Sequence, residues 1–281
     1  MKVVTKTEEI SSIITPLKSN QKTIGLIPTM GALHKGHLSL INKSVKGNDF
    51  SIITIFINPT QFDKKEDLEN YPSTIDKDLK LLEDTGCDLV FIPQASEIYK
   101  QNIRSENFTF DGLENEMEGK HRKNHFDGVG TIVKKFFEII QPTKAYFGEK
   151  DFQQLQIIKK MTSQESFPIK IIGCPIFRED DGLAMSSRNV RLTKKQREQA
   201  PFIYKTLKTA ALKFKTKSIL EINDWIKNEF DKHAVLSLEY FEIANEDNLQ
   251  TAHAKEKDKK YRAFIAVFAE KIRLIDNISL Y

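Results

Sequence analysis

The chain has 281 residues, 40% hydrophobic and 29% charged, a make-up that excludes a disordered or fibrous protein and leaves room for one large core or two domains. Two cysteines exclude a disulfide scaffold, and neither a ~20-residue membrane span nor a signal-peptide core in MKVVTKTEEISS is visible, so a cytoplasmic protein is expected, with no membrane partner. The net charge of +4 is uneven, −2 over residues 1–181 and +6 over 182–281, where lysines spread along helix faces and a KEKDKK turn without interleaved aromatics; a solvated surface is expected there, and no nucleic acid.

Over about the first 175 residues apolar and polar segments alternate in a β-α-β rhythm. A helix is expected over residues 7–17 and a strand over 24–29. The stretch TIGLIPTMGALHKGH (23–37) carries that strand through a Gly-containing turn into a helix over 35–46, the usual seat of a nucleotide phosphate. His34 and His37, three residues apart, fall on one face of the helix start. The positive end of the helix dipole favours neutral rings there, donating hydrogen bonds. That stretch alone leaves phosphate binding, metal binding and ordinary surface polarity open, although no nearby Cys or His supplies a third metal ligand.

FSIITIFI (50–57) is a continuous β-branched run, as a strand buried on both faces requires, and NPTQF follows it. Ser73 is expected to cap a helix through Leu82, ended by Gly86, and DLVFIP (88–93) is the next strand. Residues 101–124 are polar and irregular, with NFTF a short strand at most. From Gly130, the positions Ile132, Val133, Phe136, Phe137, Ile139 and Ile140 keep helical spacing until Pro142 stops them. KAYFG (144–148) is a strand, DFQQLQIIKKM a helix and IKIIGCP (169–175) another strand. Cys87 and Cys174 sit in such apolar runs and are expected as small core residues.

After Pro175 the rhythm changes. A polar loop, FREDDGLAMSSRN (177–189), precedes helical patterns over 193–213 and 218–232, and three strand-like runs close the chain: SLEYFEIA, YRAFIAVFA and KIRLIDNISL. The expected architecture is α/β: a Rossmann-like doubly wound parallel sheet over residues 1–176 and a smaller α+β domain over 177–281.

In an open parallel sheet ligands bind beyond the carboxyl ends of the strands. The strand ending at Thr29 delivers the two histidines, and the one ending at Ile57 delivers Asn58, Pro59, Thr60 and Gln61. The strand ending at Phe147 delivers Gly148, Glu149, Lys150 and Asp151, with Gln153 and Gln154 on the next helix. The strand ending near Cys174 delivers Arg178 and then Ser186, Ser187 and Arg188. Each residue alone reads equally well as surface charge, helix surface or turn. Together they suit phosphate handling: Lys150 as a compact cation between phosphates, Asp151 as an acceptor for a ribose hydroxyl, Ser186 and Ser187 as donors, Arg188 as a planar fork. Gln61 and Gln154 suit the hydroxyl and carboxylate of a small polar substrate. A P-loop, a full G-x-G-x-x-G and a nucleophile elbow are all absent from the sequence.

PTMGALHKGH resembles the H-x-G-H signature of the nucleotidylyltransferase superfamily. With FINPTQF, HFDGVGTIV, AYFGEKDFQQ, REDDGLAMSSRN and the terminal RLIDNI, the chain closely resembles the pantothenate synthetase (pantoate–β-alanine ligase) family over nearly its whole length. The resemblance implies a two-step reaction of coenzyme A biosynthesis. ATP and (R)-pantoate give an enzyme-bound pantoyl adenylate and pyrophosphate, and the amine of β-alanine then displaces AMP to form pantothenate.

By the same resemblance Met30, Gly31, Ala32, Leu33, His34, Lys35, Gly36 and His37 bind ATP, with both histidines on its phosphates. Gly148, Glu149, Lys150 and Asp151 hold the nucleotide. Phe177, Met185, Ser186, Ser187 and Arg188 complete the ATP site, the last four as this family's version of the synthetase K-M-S-K-S loop. His34, His37, Lys150, Ser186, Ser187 and Arg188 are the implied catalytic residues. Gln61 and Gln154 bind pantoate, and Gln61 also lines the β-alanine site. Mg²⁺ accompanies the ATP with no protein ligand specified, and a cytoplasmic homodimer is implied. Because an adenylate is hydrolysable, residues 177–281 and the 177–189 loop are expected to close as a lid.

The sequence departs from the family pattern in three places. Lys123 and Asn124 follow Arg122 where Arg-Pro-Gly is usual, Phe177 replaces a smaller Val, and FAEKIRLIDN replaces a segment richer in Gly and Thr. A tRNA synthetase would need an anticodon-binding region and a lysine that Ala184-Met185-Ser186 lacks. Another nucleotidylyltransferase would not combine NPTQF with EKDFQQ.

Overall fold

The computed structural model describes residues 1–63, 65–100 and 102–281. The first half runs β1 (Lys2–Val4), α1 (Thr7–Ser19), β2 (Ile24–Thr29), α2 (Lys35–Gly47), β3 (Phe50–Ile55), α3 (Lys65–Glu69), α4 (Ile75–Leu82), β4 (Leu89–Phe91) and α5 (Ala95–Tyr99). It continues through α6 (Met117–His121), α7 (His125–Ile140), β5 (Lys144–Gly148), α8 (Phe152–Gln164) and β6 (Lys170–Cys174). These six strands form one parallel sheet in the order β1-β4-β3-β2-β5-β6. The chain works outward from β2 in one direction, then returns to place β5 on its other side, so the doubly wound expectation is met. The switch point lies between β2 and β5, where two diverging connections leave a crevice.

Helices cover both faces. Ile24 and Leu26 of β2 pack with α1, α7 and α8, while Ile27 packs with α2 and α4. Alternate side chains of one strand thus feed two cores, as its unbroken apolar sequence requires. Cys87 and Cys174 are free thiols buried in the second of these.

The remaining chain forms α9 (Lys194–Gln199), α10 (Phe202–Phe214), α11 (Ile219–Asp231) and an antiparallel sheet β7 (Leu236–Asn245), β8 (Tyr261–Ala269) and β9 (Ile272–Ser279). Its own apolar cluster joins α10 and α11 to the sheet, the smaller α+β part expected from the sequence. A buried ionic joint ties it to the first half of the chain. The Glu118 carboxylate of α6 accepts from both Nη atoms of Arg273 of β9, at 2.7 Å each, and from the Tyr240 hydroxyl at 2.7 Å. Burial alone would raise the pKa of Glu118, but the Arg273 guanidinium outweighs it and holds the carboxyl at about 2.

Several boundaries differ from those the sequence suggests, each for a local reason. The short β1 has only three residues of pattern, yet pairs with β4 from Lys2 to Val4. The strand expected over 50–57 ends at Ile55, because Pro59–Gln61 turns into a 3₁₀ segment. Thr74, not Ser73, precedes α4. The single helix expected over 193–213 is two, broken where Pro201 has no N–H to offer and capped at its start by Thr193.

Helix α7 starts at His125, five residues before the apolar repeat that announces it, and in its first turns Gly128 lies against a neighbouring turn. A Cβ on Gly128 would stand 2.4 Å from the Thr60 carbonyl oxygen and 2.5 Å from Gln61 Cα. The helix therefore presses directly on the turn that carries Gln61. Asn124, which precedes α7, takes a left-handed conformation (φ 60°, ψ 6°), one that asparagine tolerates better than other non-glycine residues. Replacing Asn124 by Ala is expected to cost about 1 kcal/mol in urea unfolding, whereas Asn124→Gly stays within about 0.5 kcal/mol of wild type. Equal stability of the two variants would contradict this account of the turn.

Candidate active site

The switch point is furnished first by the turn after β2. His34 is the N-cap of α2, in extended backbone (φ −146°, ψ 174°), and His37 is its third helical residue. The cap is reciprocal: the Gly36 N–H donates to His34 Nδ1 at 3.1 Å, and the His34 N–H donates to His37 Nδ1 at 3.3 Å. The rings stack with centroids 4.0 Å apart. A Cβ on Gly36 would come within 2.9 Å of the His34 ring, so glycine is what lets that ring fold back over the helix end. Since both Nδ1 atoms accept, each proton sits on Nε2, and both rings present an N–H to the cleft.

Burial, and then the Lys150 charge, bring His34 down to about 4. Burial, then His34 and Lys150, hold His37 well below the usual imidazole range. Both rings are neutral donors at pH 7, as the sequence suggests.

The other strand ends converge on the same cleft. Met30, Gly36, Gln61, Gly148, Lys150, Asp151 and Gln154 line it with the histidines. Phe177, Met185, Ser186, Ser187 and Arg188 line it from the loop after β6. That loop is folded on itself by a Met185 N–H bond to the Phe177 carbonyl at 3.0 Å. It reaches the histidine turn through Ser187, whose hydroxyl donates to the Ala32 carbonyl at 3.0 Å. Arg188 donates to Asp67 at 2.8 Å, and Lys150 lies 3.6 Å from Asp151. The Gln61 amide is oriented from both ends: its Oε1 accepts from Asn58 at 3.2 Å, and its Nε2 donates to Met30 Sδ at 2.9 Å.

Other residues singled out in the sequence stand elsewhere. Gly31 is buried behind the turn, Leu33 packs into the core beside α2, and Lys35 is exposed. Ala32 meets the cleft loop only through its carbonyl. The Glu149 side chain lines a separate hollow with Lys159 and Arg262. Arg178 turns away to pair with Asp276 at 2.7 Å and to stack on Tyr204, 3.5 Å from its ring centre. Gln153 is buried, spending its amide on the carbonyls of Leu113 and Glu116 and on the Glu118 N–H.

Asn58, expected after the strand at 50–57, lines the cleft as well, and Tyr71, Arg122 and His125 join it without having been singled out as site residues in the sequence. His125 Nδ1 is 2.8 Å from the Gln61 carbonyl, and its Nε2 is 3.0 Å from Arg122 Nη1. The guanidinium has only protons to give, so Nε2 accepts and Nδ1–H donates. Burial, then the Arg122 charge, hold His125 neutral with a pKa of about 3. The HFDGVG motif was the available signal for this residue. Asn58 was visible in NPTQF, but its use in orienting Gln61 was not.

Fixed cations around unprotonated imidazoles at the switch point suit a polyanionic ligand, and with the parallel sheet they define a Rossmann-like, nucleotide-handling enzyme. The family model Pantoate-beta-alanine ligase matches residues 2–279. A pantothenate synthetase of Christiangramia forsetii is 52% identical over 281 residues, covering 100% of this chain and 99% of that protein. A crystal structure of pantothenate synthetase from Thermus thermophilus superposes with a TM-score of 0.92 at 33% identity, covering 100% of both chains. A Francisella tularensis pantoate-beta-alanine ligase, complexed with beta-gamma ATP and beta-alanine, gives a TM-score of 0.82 at 34% identity, covering 100% of this chain and 98% of that one. The chain belongs to the pantoate-beta-alanine ligase family.

The neutral imidazoles set a pH dependence of stability. Their folded pKa values lie below the ordinary 6.5, at about 4 for His34 and about 3 for His125. Between those values and 6.5 the unfolded chain binds the extra protons, so stability is full above pH 6.5 and falls as pH falls. Calorimetric melting temperatures are expected to drop from pH 7 to pH 5, and His125→Gln should flatten that slope by one proton's share. An unchanged slope in the variant would show that His125 is protonated when folded.

Proposed function

We infer that this chain is the ligase that condenses (R)-pantoate with β-alanine at the expense of ATP, releasing AMP and pyrophosphate through an enzyme-bound pantoyl adenylate. One observation carries this reading. Lys150 and two neutral imidazoles share a single cleft with the amides of Gln61 and Gln154, so groups suited to a triphosphate and to a hydroxy acid face each other. In the first step the pantoate carboxylate attacks the α-phosphorus and pyrophosphate leaves. Such a displacement needs positioning and charge neutralisation, not a protein nucleophile.

Lys150 and Arg188 supply fixed positive charge, Ser186 and Ser187 supply hydroxyls, and His34 and His37 hold protons at Nε2 toward phosphate oxygens. Asp67 already occupies the Arg188 fork, so phosphate competes with that carboxylate for it. Gln61 and Gln154 hold pantoate by their amides, and Gln61 remains beside the acyl carbon when the β-alanine amine arrives. Met30 and Gly148 bound the nucleotide, and Phe177 and Met185 close its far side. The adenylate is hydrolysable, so the loop over residues 177–189 and the lid of residues 177–281, set against a first domain of 1–176, serve to exclude water.

Mg²⁺ fits this site as a companion of the nucleotide. Among the described residues no group of three metal-binding side chains stands together, and magnesium commonly takes phosphate oxygens, water and one or two carboxylates. Asp151, half-exposed in the cleft, is the carboxylate that would hold it, and the ion would neutralise phosphate charge. No helix of the described residues is long and apolar enough to cross a membrane. A cytoplasmic location belongs to the same reading, supported by the two free, buried thiols, and a homodimer is supported by the family resemblance alone.

An assay for AMP formed only when ATP, pantoate and β-alanine are all present tests the reaction; ATP turnover indifferent to pantoate would overturn it. Lys150→Ala is expected to keep its circular dichroism spectrum and to lose about 10²–10³-fold in pantoate-dependent pyrophosphate release, as removal of a single transition-state donor does. A folded variant with near-normal release would remove Lys150 from the mechanism.

A further inference from the structure

The turn that carries the histidines is held in an unusual shape from behind. Gly31 (φ 80°) and Ala32 (φ 48°) both lie in the left-handed region, which an L-residue such as Ala32 rarely adopts. Successive N–H groups of a turn can point into one concavity that favours an anion. Here the protein supplies the anion itself. Asp78 of α4 accepts from the Ala32 N–H at 2.9 Å through Oδ2 and from the Leu33 N–H at 2.8 Å through Oδ1. The side chain is 2% exposed, and the Thr74 hydroxyl donates to Oδ1 at 3.1 Å.

The Leu33 N–H and the Ala32 carbonyl are the two ends of one peptide group. Asp78 grips its N–H end, and the Ser187 hydroxyl docks on its carbonyl end at 3.0 Å. Hydrogen bonds in series through a peptide polarise one another and share one geometry. The next residue, His34, starts the cap that orients both imidazoles. Asp78 itself does not line the cleft; it borders a separate hollow with Ile55 and Pro72.

We propose that Asp78 is a positioning residue for adenylation: by clamping the peptides of Gly31–Leu33 it fixes both the carbonyl on which Ser187 docks and the start of the histidine helix. The inference deepens the reading given under Proposed function and rests on it. A carboxylate is required because both facing groups are backbone donors. An asparagine has one accepting oxygen, and its NH₂ would point at an N–H.

The experiment compares wild type, Asp78→Asn, Ser187→Ala and the double variant in steady-state pantoate-dependent pyrophosphate release, with melting temperatures measured alongside. Asp78→Asn is expected to lower kcat by about 10- to 100-fold, the scale of a small misplacement of reacting groups. The KM for pantoate should stay within about threefold, because Gln61 and Gln154 ride on other strand ends. The double variant should be little worse than Asp78→Asn alone, since loss of the clamp already undoes the docking that Ser187→Ala removes.

Unchanged kcat in Asp78→Asn, a raised pantoate KM with kcat intact, or multiplying losses in the double variant would overturn the proposal while leaving the assigned reaction standing. A wild-type protein without pantoate-dependent AMP formation would instead overturn the reaction, and the proposal with it. Should Asp78→Asn fail to fold, Thr74→Val removes only the hydroxyl that orients the carboxylate and should show the same kcat-specific loss at about threefold; equal kcat in that variant would count against the clamp.

Discussion

Two hydrogen bonds from one amide set the working register of the whole molecule. Asn277 of β9 is almost fully buried, and its Nδ2 donates to the carbonyls of Glu149 and Lys150, both at 2.9 Å. Its Oδ1 accepts from Arg262 at 2.7 Å, so the amide has one orientation. The neighbouring Asp276 binds Arg178, at the base of the loop that carries Ser186 to Arg188. Two consecutive residues near the end of the chain thus fix two separate strands' worth of cleft residues. The Glu118–Arg273 pair adds a buried ionic joint, whose gain is largely offset by desolvation but whose rupture on one side alone is costly. Such a joint specifies a relative placement more than it adds stability.

The electrostatics of the cleft follow from that placement. Lys150, Arg122 and Arg188 crowd a small volume, and each lowers the tendency of a nearby imidazole to take a proton. The three histidines are therefore the neutral part of a positively charged site. Fixed charge is left to Lys and Arg, while directional donation is left to rings whose protons are assigned by backbone acceptors and donors. Burial and these charges together keep the imidazoles neutral well below the ordinary imidazole range.

Much of this was legible in the amino-acid sequence where the signal is local. Strand, turn and helix at residues 24–47, the parallel sheet and the four converging strand ends all follow from periodicity and from the rule for open sheets. What escaped depends on partners distant in the chain. Arg178 reads like a phosphate ligand until Asp276 and Tyr204 claim it, and Gln153 reads like its neighbour Gln154 until the carbonyls of Leu113 and Glu116 do. Tyr71 and Arg122 lie in segments of weak pattern, His125 was carried only by the HFDGVG motif, and β1 is too short to announce itself. Asn124 is the instructive case: where Arg-Pro-Gly is usual, it adopts a left-handed turn, which asparagine tolerates better than other non-glycine residues.

Gln61 shows what a poor partner is good for. Its NH₂ group rests against the thioether of Met30, one of the weakest acceptors a side chain offers, while its oxygen is held firmly by Asn58. The amide is thus aimed and ready without being satisfied. Under the function proposed above, a substrate oxygen at this point would exchange a feeble contact for a better acceptor, with the amide already oriented for it.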